Sequence, residues 1–322
     1  MFRTFNYRSQ PVLKIVVRNI NVKIRRQNEL FDLEKKRQIE SVGRVEKIEV
    51  DYIGNPEQKV LTMNKDLSTP YNCAQHLGQS VINTAALALV DNQPWDMHRP
   101  LKKDCQIDFL HFESREPYIL NKAFWRSCSF LLGAMATIAF KDNINLLLHS
   151  FPSPQVRSGS FVYDIDLGLE HWKPTPEELR VLSAEFIQFC SAEHKFERLD
   201  VGQEIAEEIF KCNKYKSAQI PDIAEQNEGK VTLYRVGHHI DISRGPMISN
   251  TNFVGRCSVA SVHKILPNET LYRFQGVALP KTLILNHFAY RILEDRAKKL
   301  NQGRLPTETT QSIDENRRTV LA

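Results

Sequence analysis

The sequence has no closely spaced pair of cysteines. Six cysteines are scattered along the chain, which argues against a zinc knuckle and against the disulfide framework of a small secreted domain. They are Cys73, Cys105, Cys128, Cys190, Cys212 and Cys257. This spacing favours buried thiols in a reducing compartment.

Long hydrophobic runs are also missing. The most apolar stretch, residues 130–140, is too short to span a bilayer and contains a glycine, so no membrane contact is expected. There is no internal repeat and no low-complexity tract. The length of 322 residues indicates two domains, and 42% hydrophobic with 25% charged residues is typical of a globular protein.

The first acidic residue is Glu29. Residues 1–28 carry seven basic side chains with apolar residues between them, a composition typical of a mitochondrial transit peptide. A location in the mitochondrial matrix is therefore predicted. A basic arm that stays on the protein and binds nucleic acid is the alternative, and the net charge of +5 is compatible with it.

Residues 29–49 are rich in charge and predict a solvent-facing helix. The segment 50–115 then changes pattern. A strand is expected over 59–63, and Thr69 followed by Pro70 is a helix start, because a hydroxyl caps the first turn and proline fits it. That helix is expected to place one apolar face inward. The face consists of Ala74, Leu77, Val81, Ala85 and Ala88. With an alternating strand over 105–109, the segment indicates a small β-grasp module of the α+β class.

Residues 116–304 form the second predicted domain. It begins with an apolar helix over 123–140, and Thr175 opens another helix with a capping box. A helix is expected over 197–212, strands over 231–235 and 239–242, and a final helix over 281–300. The inner face of that last helix is assigned to Leu285, Phe288, Ile292 and Leu300. Residues 305–322 are polar and expected to be disordered.

Eight motifs in this order resemble the β-grasp and editing domains that begin threonyl-tRNA synthetases. The first two, in the β-grasp segment, are MNKDLSTPY (63–71) and WDMHRPL (95–101). The other six are AFWRSCSFLLG (123–133), FERLDV (196–201), NKYK (213–216), VTLYRVG (231–237), DISRGPM (241–247) and LEDRAKK (293–299). The resemblance covers about residues 60–304, and it implies an α+β fold with a TGS-like module and an editing-like domain.

The resemblance also implies where an editing site would lie. The family builds it from the motifs H-x-x-x-H and C-x-x-x-H, which activate a water against misacylated tRNA. The matching positions here are Arg126, Phe130, Ser243 and Met247, so every one of them has changed. Arginine is a poor base, and phenylalanine and methionine neither accept a proton nor hold a hard metal. Catalysis, a bound metal, a cofactor and a small-molecule substrate are therefore not expected.

Three further residues match supporting positions of the family site. They are Tyr163, Lys216 and Asp241, and a structural role is favoured for them. A chain ending at Ala322 is also expected to have no room for the aminoacylation domain. These features together resemble a family of proteins of the mitochondrial large ribosomal subunit, which implies contacts with its ribosomal RNA and neighbouring proteins.

Basic side chains are the remaining candidates for function, through contacts with phosphates. The predicted RNA-binding residues are Arg25, Arg26, Lys35, Lys36, Arg37, Arg296, Lys298, Lys299 and Arg304. Two alternatives stay open: a free-standing deacylase that edits tRNA, and a module that binds tRNA without cutting it.

Overall fold

The computed structural model describes residues 22–54, 57–114, 117–141, 144–265 and 270–305. The predicted transit-type segment therefore lies mostly outside the described residues, and the predicted disordered tail lies almost wholly outside them. Within these ranges, twelve strands and eight α-helices form a mixed α and β structure. None of the helices in the described ranges is long and apolar enough to cross a membrane.

A five-stranded sheet forms the first module. Its strands are β1 (Lys47–Tyr52), β2 (Lys59–Asn64), β3 (Leu87–Val90), β4 (Gln93–Trp95) and β5 (Cys105–Leu110), in the spatial order β2-β1-β5-β3-β4. β1 and β5 run parallel, and the other neighbours are antiparallel. The alternating burial of β5 matches the pattern expected for residues 105–109.

Two short helices cover this sheet where one was expected. Thr69 caps α2 (Pro70–Leu77) as predicted, and its hydroxyl accepts from the Asn72 amide. Gly78, at a φ of 122°, then ends α2, and α3 (Gln79–Thr84) follows. Since Ala88 lies in strand β3, the single apolar face expected over residues 74–88 was wrong. Gly78 ends the first helix, and the chain changes direction before the second helix begins.

The second module surrounds helix α4 (Tyr118–Ala139), the most buried helix of the chain's described part. α4 lies against a four-stranded sheet made of β6 (Leu147–Ser150), β7 (Phe161–Asp166), β11 (Val254–Lys264) and β12 (Leu271–Pro280). The order is β11-β12-β7-β6, and all neighbours are antiparallel. Helix α5 (Pro176–Ser191) begins at the predicted capping box of Thr175 and packs on α4 and β11.

A three-stranded sheet completes this module. It consists of β8 (Glu197–Gly202), β9 (Lys230–Val236) and β10 (His239–Ile242), with β9 in the centre. Helices α6 (Gln203–Phe210) and α7 (Lys214–Gln226) pack on it. The helix expected over 197–212 is therefore a strand followed by a shorter helix. Residues 198–201 alternate between half-buried and buried positions, which is the period of a strand.

The last helix buries a different face from the one expected. α8 spans His287–Ala297, and its buried residues are Tyr290 and Ala297. The Tyr290 hydroxyl is 3.0 Å from the Ser258 Oγ atom and 3.3 Å from the Val277 carbonyl oxygen, which fixes that side of α8 against the sheet. The residues assigned to the inner face are instead exposed. Leu285 is 39% exposed, Phe288 80%, Ile292 69% and Leu300 40%.

Helix α1 (Val22–Ser41) begins and ends earlier than the charged helix expected over 29–49, since residues 47–49 belong to strand β1. It is docked on the second module. The Phe31 side chain is fully buried in the core that α6, α7 and β9 share. The Gln27 side chain donates to the Ile209 carbonyl oxygen, and Gln38 donates to that of Asp200. The solvent-facing helix predicted over 29–49 is therefore wrong for this face, because the Phe31 ring and the hydrogen bonds of Gln27 and Gln38 anchor it.

Ion pairs surround the buried Phe31 ring. The Arg235 guanidinium lies 4.4 Å from the ring centroid and contacts Asp32 at 2.7 Å and Glu197 at 2.6 Å. Lys35 reaches the same glutamate at 2.6 Å. Burial opposes the ionisation of Glu197, but Lys35 and Arg235 outweigh it and lower the pKa of Glu197 to about 2. This carboxylate is thus charged at neutral pH and joins α1 to the sheet.

We expect the Phe31→Ala variant to lose about 3–5 kcal/mol of unfolding free energy, because it removes a buried ring and leaves a cavity. Leu33→Ala is the matched control, since Leu33 is 61% exposed on the same helix. The control is expected to stay within about 0.5 kcal/mol of the parent. Urea denaturation followed by circular dichroism measures both. Equal stability of the two variants would contradict the docking of α1.

Candidate functional site

The four changed editing positions lie together. Arg126 and Phe130 occupy successive turns of α4, and Ser243 and Met247 lie in the segment after β10. The Arg126 Nη1 atom donates to the Pro246 carbonyl oxygen at 3.0 Å, which joins helix and segment. The sequence motifs therefore identify one place in the structure, at the junction of α4 with the three-stranded sheet.

Phe130 and Met247 fill this place with apolar atoms. Phe130 is 0% exposed, and Met247 is 1% exposed. The Phe130 ring packs 5.9 Å from Phe196 and 5.0 Å from His239, measured between ring centroids. The Ser127 hydroxyl contacts the Met247 sulfur at 3.5 Å. Apolar, buried side chains thus stand at two of the positions that match the family's histidines.

The two polar replacements do not form an acid–base pair. Burial lowers the pKa of Arg126, and the nearby Tyr234 and Asp96 oppose this shift. An arginine nevertheless stays protonated in proteins. The Ser243 hydroxyl accepts a hydrogen bond from the Gly245 amide at 3.3 Å, and no described basic side chain accepts its proton. A serine in this setting has no activating partner.

Asp241 lies in the core beside these positions, completely buried. Its Oδ1 atom contacts the Lys216 ammonium at 2.6 Å and accepts from the Ile242 amide at 2.7 Å. Its Oδ2 atom accepts from the Tyr163 hydroxyl. Lys216 is also buried, with 2% exposure. The carboxylate is therefore fully paired, and the three supporting residues hold β7, α7 and β10 together.

His239 is a further titratable group at this place. Burial lowers the pKa of His239 to about 4, and its Nε2 atom has no hydrogen-bond partner in the described part of the chain. The ring is therefore neutral at physiological pH. No group of three or more His, Cys, Asp or Glu side chains suited to a metal ion exists among the described residues.

Asp96 connects this place to the first module. The motif WDMHRPL places Asp96 directly after β4, where it is 3% exposed. Its Oδ1 atom accepts from the Tyr234 hydroxyl and from the Met247 amide, both at 2.8 Å. Its Oδ2 atom contacts Arg198 at 3.1 Å. One carboxylate thus binds three groups of the second module.

Two neighbouring contacts extend the junction. The His98 Nε2 atom is 3.2 Å from the Ser249 carbonyl oxygen, and the Ser249 amide donates to the Ala86 carbonyl oxygen at 2.9 Å. Burial lowers the pKa of His98 to about 4, so the neutral ring carries its proton on the nitrogen that faces the carbonyl. Gly245 has a φ of +65°, and a Cβ atom there would clash with the Tyr234 hydroxyl.

The predicted RNA-binding residues of α1 are mostly paired with carboxylates. Arg25 contacts Glu29 at 3.0 Å, and Arg26 is 3.9 Å from the same residue. Arg37 contacts Glu34 at 2.7 Å, and Lys36 is 3.7 Å from Glu40. Lys35 turns toward Glu197. RNA contacts by these five residues stay a prediction, and their charges are already partly balanced.

The predicted C-terminal residues form a different surface. Lys298 contacts Asp295 at 2.6 Å, but Lys299 and Arg304 are exposed and have no ion-pair partner among the described residues. Arg296 donates to the Arg157 carbonyl oxygen at 2.6 Å. This contact adds Arg157, which the sequence did not indicate because it is distant in the chain. We call Arg157, Arg296, Lys298, Lys299 and Arg304 the C-terminal basic surface.

Comparisons with known proteins agree with this architecture. A family model described as a TGS domain matches residues 52–111. The chain is 52% identical over 287 residues to large ribosomal subunit protein mL39 of Drosophila melanogaster, which covers 88% of this chain and 86% of that protein. The chain belongs to the mL39 family. This membership confirms the expected family and the expected mitochondrial localisation.

The chain is also similar, at lower identity, to threonine–tRNA ligases. It is 29% identical over 231 residues to a probable cytoplasmic threonine–tRNA ligase 1 of Dictyostelium discoideum, covering 70% of this chain and 31% of the ligase. The mitochondrial threonine–tRNA ligase of Rattus norvegicus is 30% identical over 230 residues, again 70% of this chain and 30% of the ligase. The chain thus spans about a third of each ligase. The predicted α+β class with a TGS module is confirmed.

We expect the Lys216→Met variant to lose about 3–5 kcal/mol of unfolding free energy, since it leaves the buried Asp241 without a counter-charge. Lys230→Met is the control, because Lys230 is exposed at the start of β9. The control is expected to change stability by less than about 0.5 kcal/mol. Thermal and urea unfolding measure both variants. A loss no larger than the control's would show that the ion pair does not support the core.

Proposed function

We propose that this protein is a structural component of the large subunit of the mitochondrial ribosome, where it contacts ribosomal RNA and neighbouring proteins and catalyses no reaction. The 52% identity to large ribosomal subunit protein mL39 carries the proposal. The filled editing position supports it, because the buried Phe130 and Met247 side chains leave no space there for a substrate. We therefore look for the functional contacts on the surface.

The C-terminal basic surface is the side proposed for the RNA. Arg157, Lys299 and Arg304 have no carboxylate partner among the described residues. Arginine and lysine side chains of this kind release counterions from the phosphate backbone and so contribute affinity without reading sequence. The basic face of α1 is a weaker candidate, since its glutamates compete with phosphates for the same cations.

An apolar ridge is the side proposed for a neighbouring protein. It is formed by the segment before α8 and the outer face of that helix. Its members are Leu283 (51% exposed), Ile284 (93%), Leu285 (39%), Phe288 (80%) and Ile292 (69%). A contiguous apolar surface of this kind marks a protein contact, since its exposure to water is unfavourable.

Editing of tRNA is the rival function, and the geometry disfavours it. A deacylase needs a nucleophile or an activated water beside a base. Asp241 is already fully paired, and Ser243 has no base. Binding of tRNA without cleavage needs a cleft beside Arg126, but this guanidinium donates to the Pro246 carbonyl oxygen and is largely buried.

We expect the tagged protein to migrate with the large ribosomal subunit when a mitochondrial lysate is separated on a sucrose gradient at high salt. Surface ion pairs weaken in salt, whereas buried apolar contacts do not, so an integral component stays bound. Migration as a free protein at the top of the gradient would contradict the proposal. Recovery of bound tRNA from that fraction would favour the tRNA-binding alternative.

The double variant Phe288→Ser/Ile292→Ser tests the apolar ridge. We expect its unfolding free energy to change by less than about 0.5 kcal/mol, because both side chains are exposed, while its share in salt-washed large subunits falls. Val181→Ser/Ile187→Ser is the matched control on α5, at 58% and 47% exposure. Undiminished retention of the ridge variant would show that this face has no partner.

A further inference from the structure

A cleft of about 240 Å³ lies beside the C-terminal basic surface, away from the filled editing position. Trp125 and Ser129 of α4, Gln155 and Ser160 of the segment before β7, and Asn301 and Arg304 after α8 are among its lining residues. We call it the Trp125 cleft. Sites for whole drug-sized ligands measure about 300–1,000 Å³, so this cleft suits a smaller group.

The walls of the cleft are held rigidly. Arg273 is fully buried and makes two 2.7 Å contacts with Asp164, through Nε and Nη2. Its Nη1 atom donates to the carbonyl oxygens of Asn301 at 2.7 Å and Gly303 at 2.9 Å. The Asn301 side chain in turn donates to the Ser160 carbonyl oxygen at 2.9 Å. The two walls are therefore tied together before any ligand arrives, which lowers the entropy cost of binding.

Polar groups inside the cleft lack partners. Ser129 is 3% exposed, and its hydroxyl has no hydrogen bond to any described residue. The Trp125 indole N–H and the Gln155 amide group are likewise unpaired within the described ranges, although both residues line the cleft. These groups face the cleft, where they are open to water and available to a ligand with hydrogen-bonding groups.

The charge around the cleft indicates the class of ligand. Arg304 lines it, Arg157 is adjacent to its Ser158 wall, and neither guanidinium has an acidic partner among the described residues. Trp125 provides an aromatic ring, edge-on to Phe161 at 5.9 Å between centroids. An aromatic ring for a base, short hydrogen-bonding side chains for its edge and arginines for phosphate together match an unstacked nucleotide of single-stranded RNA.

We propose that the Trp125 cleft binds one unpaired nucleotide of ribosomal RNA, with its base between Trp125 and Ser129 and its phosphate at Arg304 and Arg157. This assignment rests on the proposed ribosomal function and specifies one of its RNA contacts. An uncharged side chain from a neighbouring protein is less favoured, because the two arginines would remain without a counter-charge.

The test is ultraviolet cross-linking of RNA to protein in purified, salt-washed large subunits, followed by digestion and mass spectrometry. We expect a nucleotide adduct on the tryptic peptide of residues 123–126, which contains Trp125. In the variant Gln155→Ala/Arg304→Ala the adduct is expected to fall about tenfold, the factor given by loss of one charge-assisted hydrogen bond. Both substituted side chains are exposed, so folding is not affected.

The matched control is Gln188→Ala/Arg44→Ala, which removes the same two groups from exposed positions elsewhere. It is expected to keep the adduct. Large subunits that contain the protein but yield adducts only on other peptides would overturn the cleft proposal and leave the proposed function intact. Absence of the protein from large subunits would overturn both.

A photoreactive benzoylphenylalanine in place of Ser153, an exposed residue of the cleft, distinguishes RNA from a peptide as the occupant of the cleft. Its capture of ribosomal RNA supports the proposal. Its capture of a peptide, whether from a neighbouring protein or from another part of this chain, overturns it.

Discussion

The buried carboxylate of Asp96 makes the central contact between the two modules. It follows the last hairpin of the β-grasp sheet and accepts from Tyr234 and from the Met247 amide, while Arg198 lies beside it. Each of these partners belongs to the second module. A carboxylate this deeply buried requires full pairing, so the first module fixes the Met247 end of the segment 243–247. The loop that would carry half of an editing site has become part of a domain junction.

The same requirement for full pairing accounts for the polar residues that remain beside the changed editing positions. Lys216, Tyr163 and Asp241 still join a helix and two strands, and their removal would leave buried charge unpaired. Phe130 and Met247 add apolar packing at the positions where histidines would be needed. The polar residues that remain are therefore explained by stability. The apolar ridge and the C-terminal basic surface lie on the outside, where the proposed partners would bind.

Local hydrogen bonding made much of this fold predictable. The side chains of Thr69 and Thr175 cap the first turn of a helix, and a helix follows each of them as predicted. Tertiary packing decided the rest. α8 has apolar residues on two sides, and periodicity does not show that Tyr290 faces the sheet while Phe288 faces outward. The editing positions could be located by motif spacing, whereas the Trp125 cleft unites residues more than a hundred positions apart, which no local pattern connects.

The central claim is that the former editing position is a filled core. Its most direct test uses the threonine-specific tRNA wrongly charged with serine. The hydrolysis of this ester by the purified full-length chain is measured. We expect a release of serine no faster than in buffer alone, both for the parent and for the Asp241→Asn variant. A protein-dependent release that disappears in that variant would contradict it, because it would require an ordered water beside a carboxylate that is fully paired in this structure.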